Sequence, residues 1–350
     1  MIRLGGDITD ASTHFAQIGL AAILNDAGID AVRLFWENGP SARAVVTWEG
    51  DADVGQIVKD HASRCCQKDS WVSQSEVVQT PKGEMRLGWF SPRITAATTT
   101  EESSEWVGRR RHKLDDLSLK PIDRAMIGAL GEPAYWHRSS STNDKKFEPD
   151  HGATRWDMTT RNSGKNFVPG GLYVYAKKVS ERRALQEVVD GLTGASLVDE
   201  YDRDSKKHKH TTPLGFRNRS RMDNATAWCM LWGISATTLV PRPKSDTASD
   251  GYSQTSGFHP RNRTHPSHVT LPVFQTPTSL TRWSAVLRSK VWDGVAAASD
   301  LSNLPVVMSA EVSKLGIHHA VRFATEVAGS KSAPERRLKG GALVRIDDAE

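Results

Sequence analysis

Residues 203–241 set the tightest limit on how this chain can fold, because two opposite environments meet there. Nothing apolar lies between Tyr201 and Pro213, and the run Arg203-Asp204-Ser205-Lys206-Lys207-His208-Lys209-His210 is dominated by cations. Such a run cannot enter a core and must be solvated or bound to something anionic. After Pro213-Leu214-Gly215-Phe216 the charge returns at Arg217, Arg219 and Arg221. From Met222 the character reverses. Ala225, Trp228, Cys229, Met230, Leu231, Trp232, Ile234 and Leu239 predict a buried helix over 222–239, apolar on nearly every side. A basic loop mounted on a buried helix is a rigid presentation of positive charge, and a phosphate backbone is the partner it fits.

With 350 residues the chain has room for a real core, and we read it as an N-terminal α/β domain over 1–135 and a C-terminal α/β region over 136–350. A hydrophobic content of 38% beside 25% charged residues predicts a folded protein with long polar loops. The net charge of +5 excludes little; clustering of the charge carries the argument. Cys65, Cys66 and Cys229 lack C-x-x-C spacing, so neither a disulfide framework nor a zinc knuckle is encoded, and a reducing compartment suits them. The opening Met1-Ile2-Arg3-Leu4-Gly5-Gly6-Asp7 lacks the apolar stretch of a signal peptide, and no apolar run reaches spanning length. A soluble, cytoplasmic protein without a membrane partner is expected.

Along the chain, residues 11–27 predict a helix with Asp10 or Thr13 as N-cap and Asn25-Asp26-Ala27-Gly28 as its stop. Residues 31–36 and 43–48 read as a hairpin turning near Asn38-Gly39, and 53–63 as a second helix. A polar loop is expected over 91–113, then a short helix over 121–130 with Pro121 in its first turn and Gly131 past its end. A second polar loop over 138–171 precedes a strand at 172–175 and a helix at 180–190. Residues 242–268 form a long insertion rich in Ser, Thr, Gly and Pro. A strand at 269–274, a helix at 279–290 and strands at 304–308, 320–324 and 342–346 complete the chain. The class is therefore α/β in the mixed α+β sense, with an antiparallel or mixed sheet packed by helices and long polar basic loops.

Candidate nucleic-acid contacts are Arg109, Arg110, Arg111 and Lys113, then Lys206, Lys207, Lys209, Arg217, Arg219 and Arg221, and finally Arg261 and Arg263. Cations neutralise phosphates, and aromatics among them stack bases; Trp106, Trp156 and Phe167 are so placed. The plainer reading is solvated charge, with Trp156 and Phe167 anchoring their loop to the body. His208 and His210 form an H-x-H, and His259, His265 and His268 a looser set, but neighbouring lysines repel a dication, so no metal is assigned. Asp199, Glu200, Asp202 and Asp204 with Lys206 offer a metal-dependent nuclease alternative that lacks the usual strand context, and His208 or His210 a metal-independent ribonuclease one. No glycine-rich phosphate loop and no G-x-S-x-G occurs. No catalytic residue and no cofactor is assigned.

Three landmarks carry a family resemblance. Residues 11–24, Ala-Ser-Thr-His-Phe-Ala-Gln-Ile-Gly-Leu-Ala-Ala-Ile-Leu, followed by a tryptophan-containing hairpin, are similar to the opening of subunits of type I-U (now I-G) CRISPR effector complexes. Pro213-Leu214-Gly215-Phe216 with the apolar helix ending before Pro241 resembles a second landmark, and Leu271-Pro272-Val273-Phe274-Gln275-Thr276-Pro277-Thr278-Ser279-Leu280 a third. The resemblance implies a non-catalytic, large-subunit-like protein of the Csb type within Cascade. Its partners would be crRNA, target double-stranded DNA, the backbone and 5′-end-capping subunits and the Cas helicase-nuclease. Guide pairing would then read sequence while this subunit reads backbone. A structural subunit that meets acidic neighbours instead of nucleic acid is the other alternative.

Overall fold

The computed structural model describes residues 1–39, 41–80, 83–92, 100–116, 118–131, 137–138, 147–148, 154–156, 167–196, 222–237, 239–240, 254–261, 266–330 and 333–346. They form a mixed α+β fold whose strand pairs are all antiparallel. The first strand, β1 (Ile2–Arg3), leads to helix α1 (Ala11–Asp26) and the hairpin β2 (Arg33–Trp36) and β3 (Ala44–Thr47). These strands make a sheet in the order β1-β3-β2, with Leu34 and Ile2 both opposite Val46. The α1 side chains are buried from Ala11 to Leu24, because the helix has a neighbour on every side. Gln17 is the polar tie on its sheet side: its amide donates to Phe35 O at 2.7 Å and Val45 O at 2.9 Å, which satisfies a buried group while fixing the helix on the hairpin.

Helix α2 (Val54–Cys66) starts where Asp53 accepts from the Gln56 amide at 3.0 Å. A second hairpin follows, β4 (Ser75–Thr80) and β5 (Gly83–Gly88), then α3 (Thr100–Asp116) and α4 (Pro121–Leu130). The expected loop over 91–113 is thus corrected to a helix in its second half. Two short strands, β6 (His137–Arg138) and β7 (Phe147–Glu148), pair with each other. The expected strand at 172–175 is instead a π-helical turn, Val168–Leu172, running into α5 (Tyr173–Ser180). The expected helix at 180–190 is α6 (Leu185–Thr193), entered through a break at 181–184. The buried helix is α7 (Asn224–Trp232) with a 3-10 turn Gly233–Ala236, shorter than 222–239, and it is buried on every side.

Beyond it, β8 (Leu239–Val240) pairs with β9 (Gln254–Thr255), so the long insertion contains ordered structure. The second sheet is built from β10 (Phe258–His259) and β11 (His268–Val273), covered by α8 (Leu280–Arg288) and α9 (Lys290–Ala297). The expected strand at 304–308 is corrected to the start of α10 (Val306–Lys314), with Pro305 as its N-cap. The last strands are β12 (His319–Ser330), β13 (Ala333–Leu338) and β14 (Ala342–Arg345). Leu338 faces Thr325 and Ala342 faces Arg322, so β13 and β14 continue one line along β12 with one extra residue between them, a bulge. The two sheets join through residues 274–278: Trp36 N donates to Phe274 O at 2.7 Å, and Leu34 bridges Thr278. One apolar core runs through described residues on both sides of residue 135, with α1 packed principally on α7.

Candidate nucleic-acid interface

Four of the candidate cations lie on α3, where helical geometry turns consecutive side chains about 100° apart. Arg109 and Lys113 share a stripe one turn apart, Arg110 lies about 100° round the helix from Arg109, and Arg111 is on the far side. Arg110 is 2% exposed; its guanidinium lies 5.2 Å from the Phe90 ring centre and donates to Gly131 O at 3.2 Å. It is a pin between α3, the end of β5 and the end of α4, and is turned away from any partner in solution. Arg109 remains half in solvent, over the Trp89 ring at 5.0 Å and paired with Glu76 of β4. Arg111 is exposed, Lys113 is half-buried, and His112 pairs with Asp116 in solvent at 3.2 Å.

The inward Arg110 carries a prediction. Arg110→Ala should lower stability by about 1–3 kcal/mol, because it removes a buried charged hydrogen bond and its stacking on Phe90. A shifted urea midpoint checks this, and a variant as stable as the parent would show the guanidinium contributes nothing there.

Arg261 follows β10 and pairs with Asp293 in the first turn of α9. Asp293 Oδ1 also meets His259 Nε2 at 3.0 Å, and across the strand pair His259 stacks on His268 at 6.2 Å. His268 Nε2 donates to Ala296 O at 2.9 Å, so its Nδ1 is left to accept from the Ser267 hydroxyl at 3.1 Å. Burial lowers the His268 pKa, with the Ala296 bond working the other way. The structure thus brings two of the three looser histidines together, yet turns both toward α9, where they tie β10 and β11 to that helix. Arg322 closes the same corner by donating to Val295 O, Ala296 O and Ala298 O. Among the described residues no group of three or more His, Cys, Asp or Glu side chains is arranged to hold a metal ion. Burial pushes the thiols of Cys65 and Cys229 up, so neither offers a thiolate.

Lys206, Lys207, Lys209, Arg217, Arg219, Arg221 and Arg263 lie outside the described residues, as do Asp199, Asp204, His208 and His210. The root of the central basic segment is described. On one side Ser196 N donates to Asp190 O at 3.1 Å; on the other, Asp223 caps α7 through Ala225 N at 2.7 Å and pairs with Arg182 at 2.5 Å. Thr226 Oγ1 donates to Gly191 O at 2.7 Å, so both ends of the segment are held at the C-terminal end of α6. A Cβ on Gly191 would fall 2.1 Å from Asp223 Oδ1, which reserves that position for glycine.

Sequence reasoning passed over Glu76 and Trp89, and placed Arg182 on the polar face of a helix without its partner Asp223. Nothing local signals them, since each meets its partner from a distant part of the chain. Trp156, by contrast, is an anchor: it is fully buried, 4.3 Å from Phe15 and 4.5 Å from Phe258 by ring centres. Among the described residues no helix is long and apolar enough to cross a membrane. In comparisons with protein-family models, with curated proteins and with solved structures, nothing matches the chain.

Proposed function

We propose that this chain is a non-catalytic nucleic-acid-binding subunit of a crRNA-guided Cascade-type complex, contacting crRNA or target DNA through its basic surfaces. The observation that carries the reading is on α3, where Arg109 lies over the half-buried Trp89 and Arg111 is exposed while Arg110 is held in the core. A cationic edge next to an aromatic ring, fixed on a helix, binds backbone charge with little loss of side-chain freedom. The landmarks at 11–24, 213–241 and 271–280 support the assignment to a CRISPR effector complex. The second set of candidate contacts is Lys206, Lys207, Lys209, Arg217, Arg219 and Arg221, in the stretch of sequence between α6 and α7.

The test is binding of the full chain to labelled single- and double-stranded oligonucleotides across a salt series. Replacing Arg111 and Lys113 by Ala should weaken binding for all sequences and flatten the salt slope by up to about one unit per lost contact. Lys206, Lys207 and Arg219 changed together to Ala should weaken it further, whereas Asp204→Ala should be nearly silent. An unaltered affinity and slope in both multiple variants would remove nucleic acid from the reading and leave a structural subunit. Metal-dependent cleavage that Asp204→Ala abolishes would replace it with the nuclease.

A further inference from the structure

We infer that the outer face of the sheet β1-β3-β2 is a further nucleic-acid surface, a platform on which an unpaired base stacks over Phe35 while Arg33 and Arg43 take the adjoining phosphates. The inference rests on the nucleic-acid reading above and adds a surface and the form of strand, single, that it takes. Register decides what the face carries. Arg3, Val45 and Phe35 stand side by side across the three strands, and Arg33 faces Thr47 two residues along. Leu34, Trp36 and Val46 alternate with them and enter the core, which neither Phe35 nor Val45 joins. The bonds from Gln17 to Phe35 O and Val45 O fit the same assignment, since those two side chains point away from α1 and leave their backbone open to it.

The face is open, and part of its charge is unneutralised. Arg3 Nε donates to Glu37 Oε1 at 2.6 Å across β3, and this pair braces the strip beside Phe35 and covers Val45, which is 1% exposed. Arg33 and Arg43 are exposed, and among the described residues neither forms an ion pair. Each guanidinium donates to a backbone carbonyl instead, Val32 O at 3.0 Å and Gly6 O at 3.3 Å. The acids Asp30 and Glu49 lie past the Arg33 end of the hairpin, joined through Glu49 N on Asp30 O at 3.2 Å, and reach neither guanidinium. Since Glu37 N bonds Arg43 O, Arg43 stands four residues along the register from Arg33 on the next strand, about 14 Å away, with the half-buried Phe35 between them. A single strand running along β2 would meet a cation at each end and a ring in the middle. Bases inside a duplex have both faces covered, so only an unpaired base can use Phe35. The competing occupant is a second copy of this chain, and that contact would be indifferent to strand form.

Phe35→Leu separates them, because it keeps an apolar side chain beside Val45 and removes the ring. In fluorescence anisotropy with the full chain, a labelled oligouridylate should bind this variant about ten-fold more weakly, while a labelled duplex of the same length binds as before. Arg33 and Arg43 changed together to Gln should flatten the salt slope for the oligouridylate by up to about two units. A thermal melt of each protein reports its folding, and if Phe35→Leu melts early the double variant, altered only at exposed positions, decides alone. Equal losses on the two strand forms, no loss on either, or an unchanged slope in the double variant would overturn the platform. So would a parent that elutes as a dimer and a Phe35→Leu protein that elutes as a monomer with its oligouridylate affinity intact, which would give the face to a second copy. If Arg111 and Lys113 changed to Ala weaken binding and the sheet variants do not, the nucleic-acid reading stands and the platform alone is wrong; if the parent binds neither oligonucleotide, both fall.

Discussion

Gly19→Ala is expected to leave little folded protein. Helices α1 and α7 meet backbone against backbone: a Cβ on Gly19 would fall 1.8 Å from Cys229 O and 2.7 Å from Gly233 N, and one on Gly233 would fall 2.4 Å from Phe15 O. None of these neighbours is a side chain that can turn aside, so the helices must part. Parting them loosens α1 from Ala11 to Leu24 and the whole of α7, which are the most enclosed elements of the core. Overpacking a core costs ~1–3 kcal/mol when side chains can adjust, and here the cost should reach or exceed ~3 kcal/mol out of a total stability of ~5–15 kcal/mol. Soluble yield and the urea midpoint are the measurements. Gly128→Ala in α4 is the comparison, since a Cβ there meets nothing within 4 Å and should gain about 0.5–1 kcal/mol. A Gly19→Ala protein that unfolds at the parent's midpoint would show that the two helices do not touch as described.

The elements that the sequence announces are those with a cap or a turn of their own. Asp53 accepts from Gln56 N and Ser279 from Arg282 N, and α2 and α8 begin there; Pro121 opens α4, and the hairpin turns next to Gly39. Elements set by tertiary context are not announced. The α3 segment offers few apolar residues beyond Trp106, Val107 and Leu114, so no hydrophobic period marks it, and its Glu, Arg and Lys content supports a helix only through propensity. Leu172-Tyr173-Val174-Tyr175 and Leu304-Pro305-Val306-Val307-Met308 are short apolar runs that suit a strand or a helix equally. Packing decides both for helix. Pairing also carries β12 to Ser330, well past the apolar residues that mark its start.

At the candidate site, charge is legible and facing is not. Arg109, Arg110, Arg111 and Lys113 read as one patch only while they are placed on a loop. A helix divides them: Arg110 enters the core, Arg109 lies on Trp89, and Arg111 stays in solvent. The partners that give each arginine its role, Glu76, Trp89, Phe90 and Gly131, are 20 to 33 residues away in sequence, on elements whose own signals are weak. Asp223 shows both sides of the matter. As a helix N-cap before an apolar run it can be read directly, but its ion pair with Arg182 depends on α6 and α7 being side by side.

Acidification should destabilise the protein well before most carboxylates are protonated, because two histidines are buried in their neutral form. His14 lies between Trp36 at 4.5 Å and Phe323 at 5.8 Å, with Nε2 on Ile8 O at 2.7 Å. Burial lowers its pKa from 6.5 to about 4, against smaller raising effects from the Ile8 carbonyl and Asp7. His61 sits against Trp232 at 4.6 Å and Trp228 at 5.5 Å, and burial, then the charges of Arg64 and Lys120, hold it well below 6.5. Since the folded pKa lies below the unfolded one, the unfolded chain takes up more protons as the pH drops. The stability is therefore complete above the unfolded value and is lost as the pH falls through it, down to the folded value. For His14 alone that is about 2 kcal/mol at pH 5 and ~3 kcal/mol at pH 4, and His61 adds to it with the same sign. Urea midpoints from pH 7.5 to 4.5 should fall steadily below 6.5. His61→Phe, which keeps an aromatic ring against the two tryptophans and cannot titrate, should flatten that fall, and His14→Gln should flatten it again. The residual slope belongs in part to His268, whose pKa is also lowered. Midpoints that stay level between pH 6.5 and 5 in the parent would mean that neither His14 nor His61 is held neutral in the core.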